Sequence, residues 1–277
     1  MVHKIDAHHH LWQYDKENYG WIDHRMGVLA RDFLPPDLEK ELRTAGIDGA
    51  LAVQAQQTLS ETAWLLRLAD QFSFIRGVVG WAPIASVDFS THLNHLQSHR
   101  KLKGLRHIIQ SEPDDNFILN ATFNRGIACL KDTGLVYDIL ICDKHLPAAI
   151  QFVDRHPQQS FVLDHIAKPR IRECVMDPWR RNIAELARRE NVHCKLSGMV
   201  TEADWSSWSQ QDLWPYLEVA LEAFGPQRLM AGSDWPVCLL ATSYPRWFEL
   251  LNVFLAKLTV PERERILGGT ASEVYSL

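Results

Sequence analysis

Short apolar runs recur along the chain, with amphipathic segments between them. The runs are "HKIDAHHHL" (3–11), "GALAVQAQ" (49–56), "IRGVVGWAPI" (75–84), "LKGLRHIIQ" (102–110), "LVYDILI" (135–141), "SFVLDHIA" (160–167), "VHCKLSGM" (192–199) and "RLMAGSDWP" (228–236). Each reads as a strand. The intervening segments read as helices: "PPDLEKELRTAG", "SETAWLLRLADQF", "ATFNRGIACLKDTG", "HLPAAIQFVDRHP" and "DPWRRNIAELARREN". Several open at Pro or Asp and close at Gly or Asn, as helix ends do. After the eighth strand, "YPRWFELLNVFLAKL" and "PERERILGGTASEVY" read as two closing helices. This alternation predicts an α/β fold, a (β/α)₈ TIM barrel built as one domain over residues 1–277. A doubly wound open sheet is the other candidate. Its dinucleotide-binding version is disfavoured, since no GxGxxG follows a strand.

Two loops are longer than the rest: "QYDKENYGWIDHRMGVLARDF" after strand 1 and "TEADWSSWSQQDLW" after strand 7. Both are aromatic and polar. In a barrel they extend the mouth, where active sites lie.

Composition narrows the class. Of the 277 residues, 46% are hydrophobic and 23% charged, which suits a chain with a large core. The formal net charge of −5, with no Lys/Arg-rich run, excludes a polyanion-binding protein, so no nucleic-acid partner is expected. No run is long enough to span a bilayer, and the opening "MVHKIDAHHH" carries no apolar leader core. The cysteines at 129, 142, 174, 194 and 238 are scattered, odd in number and without a CxxC pair, as in a reduced cytoplasmic protein.

Candidate chemistry gathers where the strands end. Alternation along strand 1 puts Asp6, His8 and His10 on one face, with Ile5 and His9 on the face toward the helices. Two imidazoles at i and i+2 can grip a metal ion or an oxygen-rich substrate; a structural histidine cluster is the plainer reading. Arg106 and His107 sit late in strand 4, and only one of the two can point inward. Asp138 lies in strand 5, His165 and Lys168 at the end of strand 6, Lys195 in strand 7 and Asp234 at the end of strand 8. Polar groups placed this way are costly in a closed apolar core unless paired, so Asp138 and Lys195 read either as site residues or as a buried ion pair. Asp164 reads as outward-facing and structural.

With "DAHHHLW", "GLRHIIQ", "LDHIAKP" and "GSDWP" in this order, the chain resembles the amidohydrolase superfamily. More narrowly, it resembles amidohydrolase-2 type sugar-lactone hydrolases such as the L-fuconolactonases and L-rhamnonolactonases. The resemblance implies that His8 and His10 fill the HxH position, His165 the strand-6 histidine and Asp234 the catalytic aspartate. It implies one divalent ion of zinc type, held by His8, His10, His165 and Asp234, weakly bound or dispensable. The strand-4 carboxylated lysine of two-metal members has no match here, and strand 5 offers Asp138 where many members carry a histidine. The implied reaction is hydrolysis of a sugar lactone, with Asp234 as base toward water and His165 with Arg106 or His107 near the oxyanion. Gln54, Trp81, Lys168 and Trp235 are candidate contacts to the sugar, and an oligomer is possible. A metal-dependent decarboxylase of a small aromatic acid and a 2-pyrone-4,6-dicarboxylate-type lactonase are the competing activities.

Overall fold

A computed structural model describes residues 3–277; Met1 and Val2, at the head of the expected domain, lie outside it. The eight expected strands are all present: β1 (Ile5–His9), β2 (Gly49–Val53), β3 (Ile75–Gly80), β4 (Leu102–Ile108), β5 (Val136–Leu140), β6 (Phe161–Leu163), β7 (Val192–Leu196) and β8 (Leu229–Ala231). They pair in sequence order, each parallel to the next. The seam between β8 and β1 is closed just beyond β8, where Asp234 N donates to His8 O and His10 N donates to Trp235 O. The strands are shorter than the apolar runs. Most of the excess lies at the C-terminal ends, where the chain leaves the sheet to build turns.

The helices are α1 (Pro35–Ala45), α2 (Leu59–Gln71), α3 (Phe89–Leu96), α4 (Ala121–Ala128), α5 (Leu146–Arg155), α6 (Trp179–Leu186), α7 (Met199–Glu202), α8 (Gln210–Phe224), α9 (Tyr244–Leu255), α10 (Val260–Glu264) and α11 (Thr270–Val274). Local chemistry sets their limits. Pro35 and Pro36 start α1 and a left-handed Gly46 ends it. The Thr58 side chain caps α2 by accepting from Glu61 N. Among the described residues, no helix is long and apolar enough to cross a membrane.

Two apolar clusters follow from the barrel. The larger lies between strands and helices. The smaller joins Ile5, Leu51, Val53, Val79, Val136, Val162, Met230 and Tyr275. These come from six strands and the chain's end, and they can meet only inside the barrel, where they seal its floor.

The alternation expected in β1 is corrected here. Ile5 belongs to the interior cluster rather than to the helix side. Asp6 is not on the face of His8: its carboxylate accepts from the amides of His8 and Ser233 and from Ser233 Oγ. The pairing of β1 with β2 shifts register between Asp6 and His9, which breaks the two-residue period.

Candidate active site

The C-terminal ends of four strands, with the turns that follow two of them, bring the candidate groups together at the mouth. His8 and His10 leave β1, Arg106 points inward from β4, and the turns after β6 and β8 carry His165 and Asp234. The turn after β6 is unusual. His165, Ile166, Ala167 and Lys168 all have positive φ, at 52, 47, 59 and 47°. One L-residue in this region costs about 1–2 kcal/mol, and an isoleucine is among the least tolerant. The packing holds the turn: Ile166 and Ala167 are fully buried, Lys168 N donates to His165 O at 2.8 Å, and Trp179 Nε1 donates to Ile166 O at 2.7 Å. A three-residue repeat puts positions 165 and 168 on the same side. Both line the cavity.

Asp234 Oδ1 lies 3.2 Å from His10 Nε2, 3.7 Å from His8 Nε2 and 3.8 Å from His165 Nε2. His8 and His10 face each other, Nε2 to Nε2, at 3.2 Å. Burial favours the proton on Asp234, but His165, His10 and His8 outweigh it and hold the carboxyl below its ordinary range. Burial keeps His165 neutral, with its pKa near 4, and drives His8 well below its usual value. At neutral pH the Asp234 carboxylate is therefore charged, and the imidazoles of His8 and His165 beside it are neutral.

Hydrogen-bond accounting tests this cluster as a cation site. His10 Nδ1 is 2.8 Å from the carbonyl of Val53, which can only accept, so Nδ1 carries the hydrogen and Nε2 the lone pair. His8 Nδ1 stands 3.3 Å from Lys195 Nζ, a donor, and 3.3 Å from Asp164 Oδ1, a buried oxygen that also faces Lys195 Nζ. Either tautomer of His8 is thus served, and the form with hydrogen on Nδ1 frees Nε2. His8, His10 and Asp234 then offer ligand atoms within 4.8 Å of one another. Two nitrogens and an oxygen suit a zinc-type ion. Arg106 Nη1, 3.2 Å from His8 Nε2, competes for that lone pair, which suits weak rather than tight holding. A second trio, His8, Asp164 and His165, also has ligand atoms within 4.8 Å of one another, but it shares His8, and its Asp164 is held by Arg106 and Lys195; Asp138 is bound by Lys195 and Tyr275.

Asp164 is corrected from outward and structural to fully buried beneath the site. It pairs with Arg106 Nη1 at 2.9 Å and with Lys195 Nζ at 3.0 Å. Burial alone would raise its pKa; Lys195, His8 and Arg106 pull it well below the carboxylate range. Asp138 and Lys195 are the buried ion pair that was one of two readings.

Above this cluster lies a cavity of about 410 Å³. Arg106, His10, His165 and Asp234 form its base. Trp12, Trp21, Trp205, Thr201, Glu202 and Lys168 line it from the long loops after β1 and β7 and from the turn after β6. Four expected residues lie elsewhere. His107 points away from Arg106, accepts from Trp81 Nε1 at 3.2 Å, meets Glu112 at 2.6 Å and stacks on Phe117. Trp81 goes with it. Gln54 is buried behind Arg106, taking its guanidinium on both the backbone carbonyl and Oε1. Trp235 packs edge-on against Phe33 in the core. Glu202, Thr201 and Asp164 are the cavity and support groups that spacing did not reveal.

The profile of the amidohydrolase family, described as "Amidohydrolase", matches residues 5–277. An L-fucono-1,5-lactonase of Burkholderia multivorans is 41% identical over 285 residues, covering 99% of this chain and 96% of its own. An L-fucono-1,5-lactonase of Burkholderia ambifaria is 35% identical over 284 residues, covering 100% of this chain and 97% of its own. Among solved structures, an amidohydrolase from Burkholderia multivorans with bound zinc superimposes with a TM-score of 0.96 at 42% identity, each chain covered in full.

Proposed function

We propose, for a chain that belongs to the amidohydrolase family, that it is a lactonase opening a neutral six-membered sugar lactone, with L-fucono-1,5-lactone as the first substrate to test. The observation that carries this reading is the carboxylate of Asp234, set among His8, His10 and His165 at the base of a tryptophan-walled cavity.

Asp234 takes a proton from water as its oxygen bonds to the lactone carbonyl. The tetrahedral oxyanion gathers hydrogen bonds from Arg106 and from His165 Nε2, in the tautomer whose Nδ1 accepts from Ser197 Oγ. When the ring C–O bond breaks, Asp234 returns the proton to the departing alkoxide, giving a hydroxy acid that ionises. The neighbouring histidines outweigh burial and hold Asp234 in the charged form, so it acts by position more than by basicity. A zinc-type ion on His8, His10 and Asp234, with His165 alongside, would acidify water and polarise the carbonyl. The zinc in the Burkholderia multivorans relative supports that ion here.

Charge in the cavity disfavours the competing substrates. A pyrone dicarboxylate or an aromatic acid needs free cations to clamp carboxylates. Arg106 is committed to Asp164 and Gln54, and Lys168 faces Glu202. A cytoplasmic setting and no nucleic-acid partner complete the reading, supported by the acidic balance and five unpaired cysteines.

A lactone panel read by acid release tests this. L-fucono-1,5-lactone should turn over, and Asp234→Asn should lose roughly 10²–10⁴-fold in kcat. Near-normal turnover by that variant removes Asp234 as the base.

A further inference from the structure

Lys168 and Glu202 are the two charged groups of the cavity wall that the hydrolytic step does not use. Lys168 Nζ and Glu202 Oε1 stand 3.8 Å apart, too far for a hydrogen bond. Among the described residues, neither head group has a hydrogen-bond partner, although the side chains are only 20% and 27% exposed. Both residues line the cavity, so their unspent donors and acceptors are available to a ligand there. Burial, with Asp234 nearby, raises the pKa of Glu202, and Lys168 opposes the rise. Lys168 is delivered by the strained left-handed turn that also delivers His165, so its backbone is anchored beside the reacting end. Strain of this kind persists where packing over-determines it, and here the packing places a lysine in the cavity wall.

We propose that Lys168 and Glu202 form a clamp for two neighbouring hydroxyls of the lactone ring, and so set the specificity for polyhydroxylated over plain lactones. One hydroxyl donates to the Glu202 carboxylate and its neighbour accepts from the Lys168 ammonium, which bridges a gap that the two side chains leave open. The pair is neutral as a whole and recognises a neutral polyol without attracting an anion. Trp12 and Trp205 spend their indole N–H groups on Arg31 O and Thr201 O, so they offer the cavity apolar ring surface, suited to the C–H face of the sugar. The clamp rests on the lactonase reading.

The test compares L-fucono-1,5-lactone with δ-valerolactone, the same ring without hydroxyls, measured both as substrate and as competitor so that slow turnover still yields an affinity. Lys168→Met and Glu202→Gln should each raise KM for the hydroxylated lactone roughly ten- to hundredfold, with a smaller change in kcat. The loss on δ-valerolactone should be at least tenfold smaller. Thermal melts of both variants identify any that fails to fold, and the other then carries the test. Equal losses on the two lactones, or no loss on either, overturn the clamp while leaving the lactonase standing. A wild-type protein that opens no sugar lactone overturns the lactonase reading and the clamp with it.

Discussion

Gly198 offers a direct test of how the strand ends position His165. It follows Ser197, whose Oγ holds His165 Nδ1 at 2.9 Å, and its φ is +64°. A methyl group there would lie 2.5 Å from His165 Nδ1, 2.7 Å from Cγ and 3.1 Å from Cβ. Because the clash reaches the root of the ring, rotation about χ2 does not relieve it. The backbone of His165 cannot retreat, since Ile166 and Ala167 behind it are fully buried. Gly198→Ala therefore carries two costs. The left-handed backbone costs alanine about 1–2 kcal/mol, and the overpacking adds about 1–3 kcal/mol. Gly134→Ala isolates the first: its φ is +75° and nothing lies within 4 Å of the added methyl. Urea unfolding should place Gly134→Ala about 1 kcal/mol below wild type and Gly198→Ala about 2–5 kcal/mol below. The displaced ring loses Ser197 and shifts relative to Asp234, so kcat on L-fucono-1,5-lactone should fall about 10²-fold in Gly198→Ala and stay unchanged in Gly134→Ala. Equal stability of the two variants, with full kcat in both, would refute the claim that Gly198 is the space His165 occupies.

Three further outcomes are expected. Lys195→Met removes the ammonium shared by two buried carboxylates, leaving Asp138 to Tyr275 and Asp164 to Arg106, and should cost about 3–5 kcal/mol by urea unfolding; an unchanged midpoint would mean that Tyr275 and Arg106 suffice. Zinc at a hundred times its Kd should stabilise the wild type by about 2.7 kcal/mol in a chelator-reversible way, and His10→Asn should abolish the effect; a shift that survives the substitution would place the ion elsewhere. Burial raises Glu61 from its ordinary 4.5 to about 7. Its folded-state pKa is above its unfolded one, so its contribution to stability is complete below pH 4.5 and lost as pH climbs through 7, by up to about 3 kcal/mol. Glu61→Gln should flatten the stability profile in that window, and an unchanged slope would count against the burial.

Order and number of strands were legible because a strand buried on both faces in a parallel barrel is a continuous apolar run. The identity of the four groups at the mouth was legible for a related reason: such residues are tolerated at the end of an apolar run only where the chain leaves the sheet. What failed was direction. The two-residue period predicts Arg106 against His107 as alternatives, and the inward member is Arg106. The same period misplaces Asp6, because β1 slips register, and Asp164, because β6 stops at Leu163 and the next residues turn left-handed. Glu202 lies in a one-turn helix with no motif, and only the fold brings it opposite Lys168.

Among the described residues, Ile5, Val136, Met230 and Tyr275 pack the floor below the site, so the lactone arrives and the hydroxy acid departs by the mouth, past Glu202. The visitor enters uncharged and goes out as an anion, past a Lys168–Glu202 pair whose charges balance. The passage thus holds no net positive charge at that pair to detain the product.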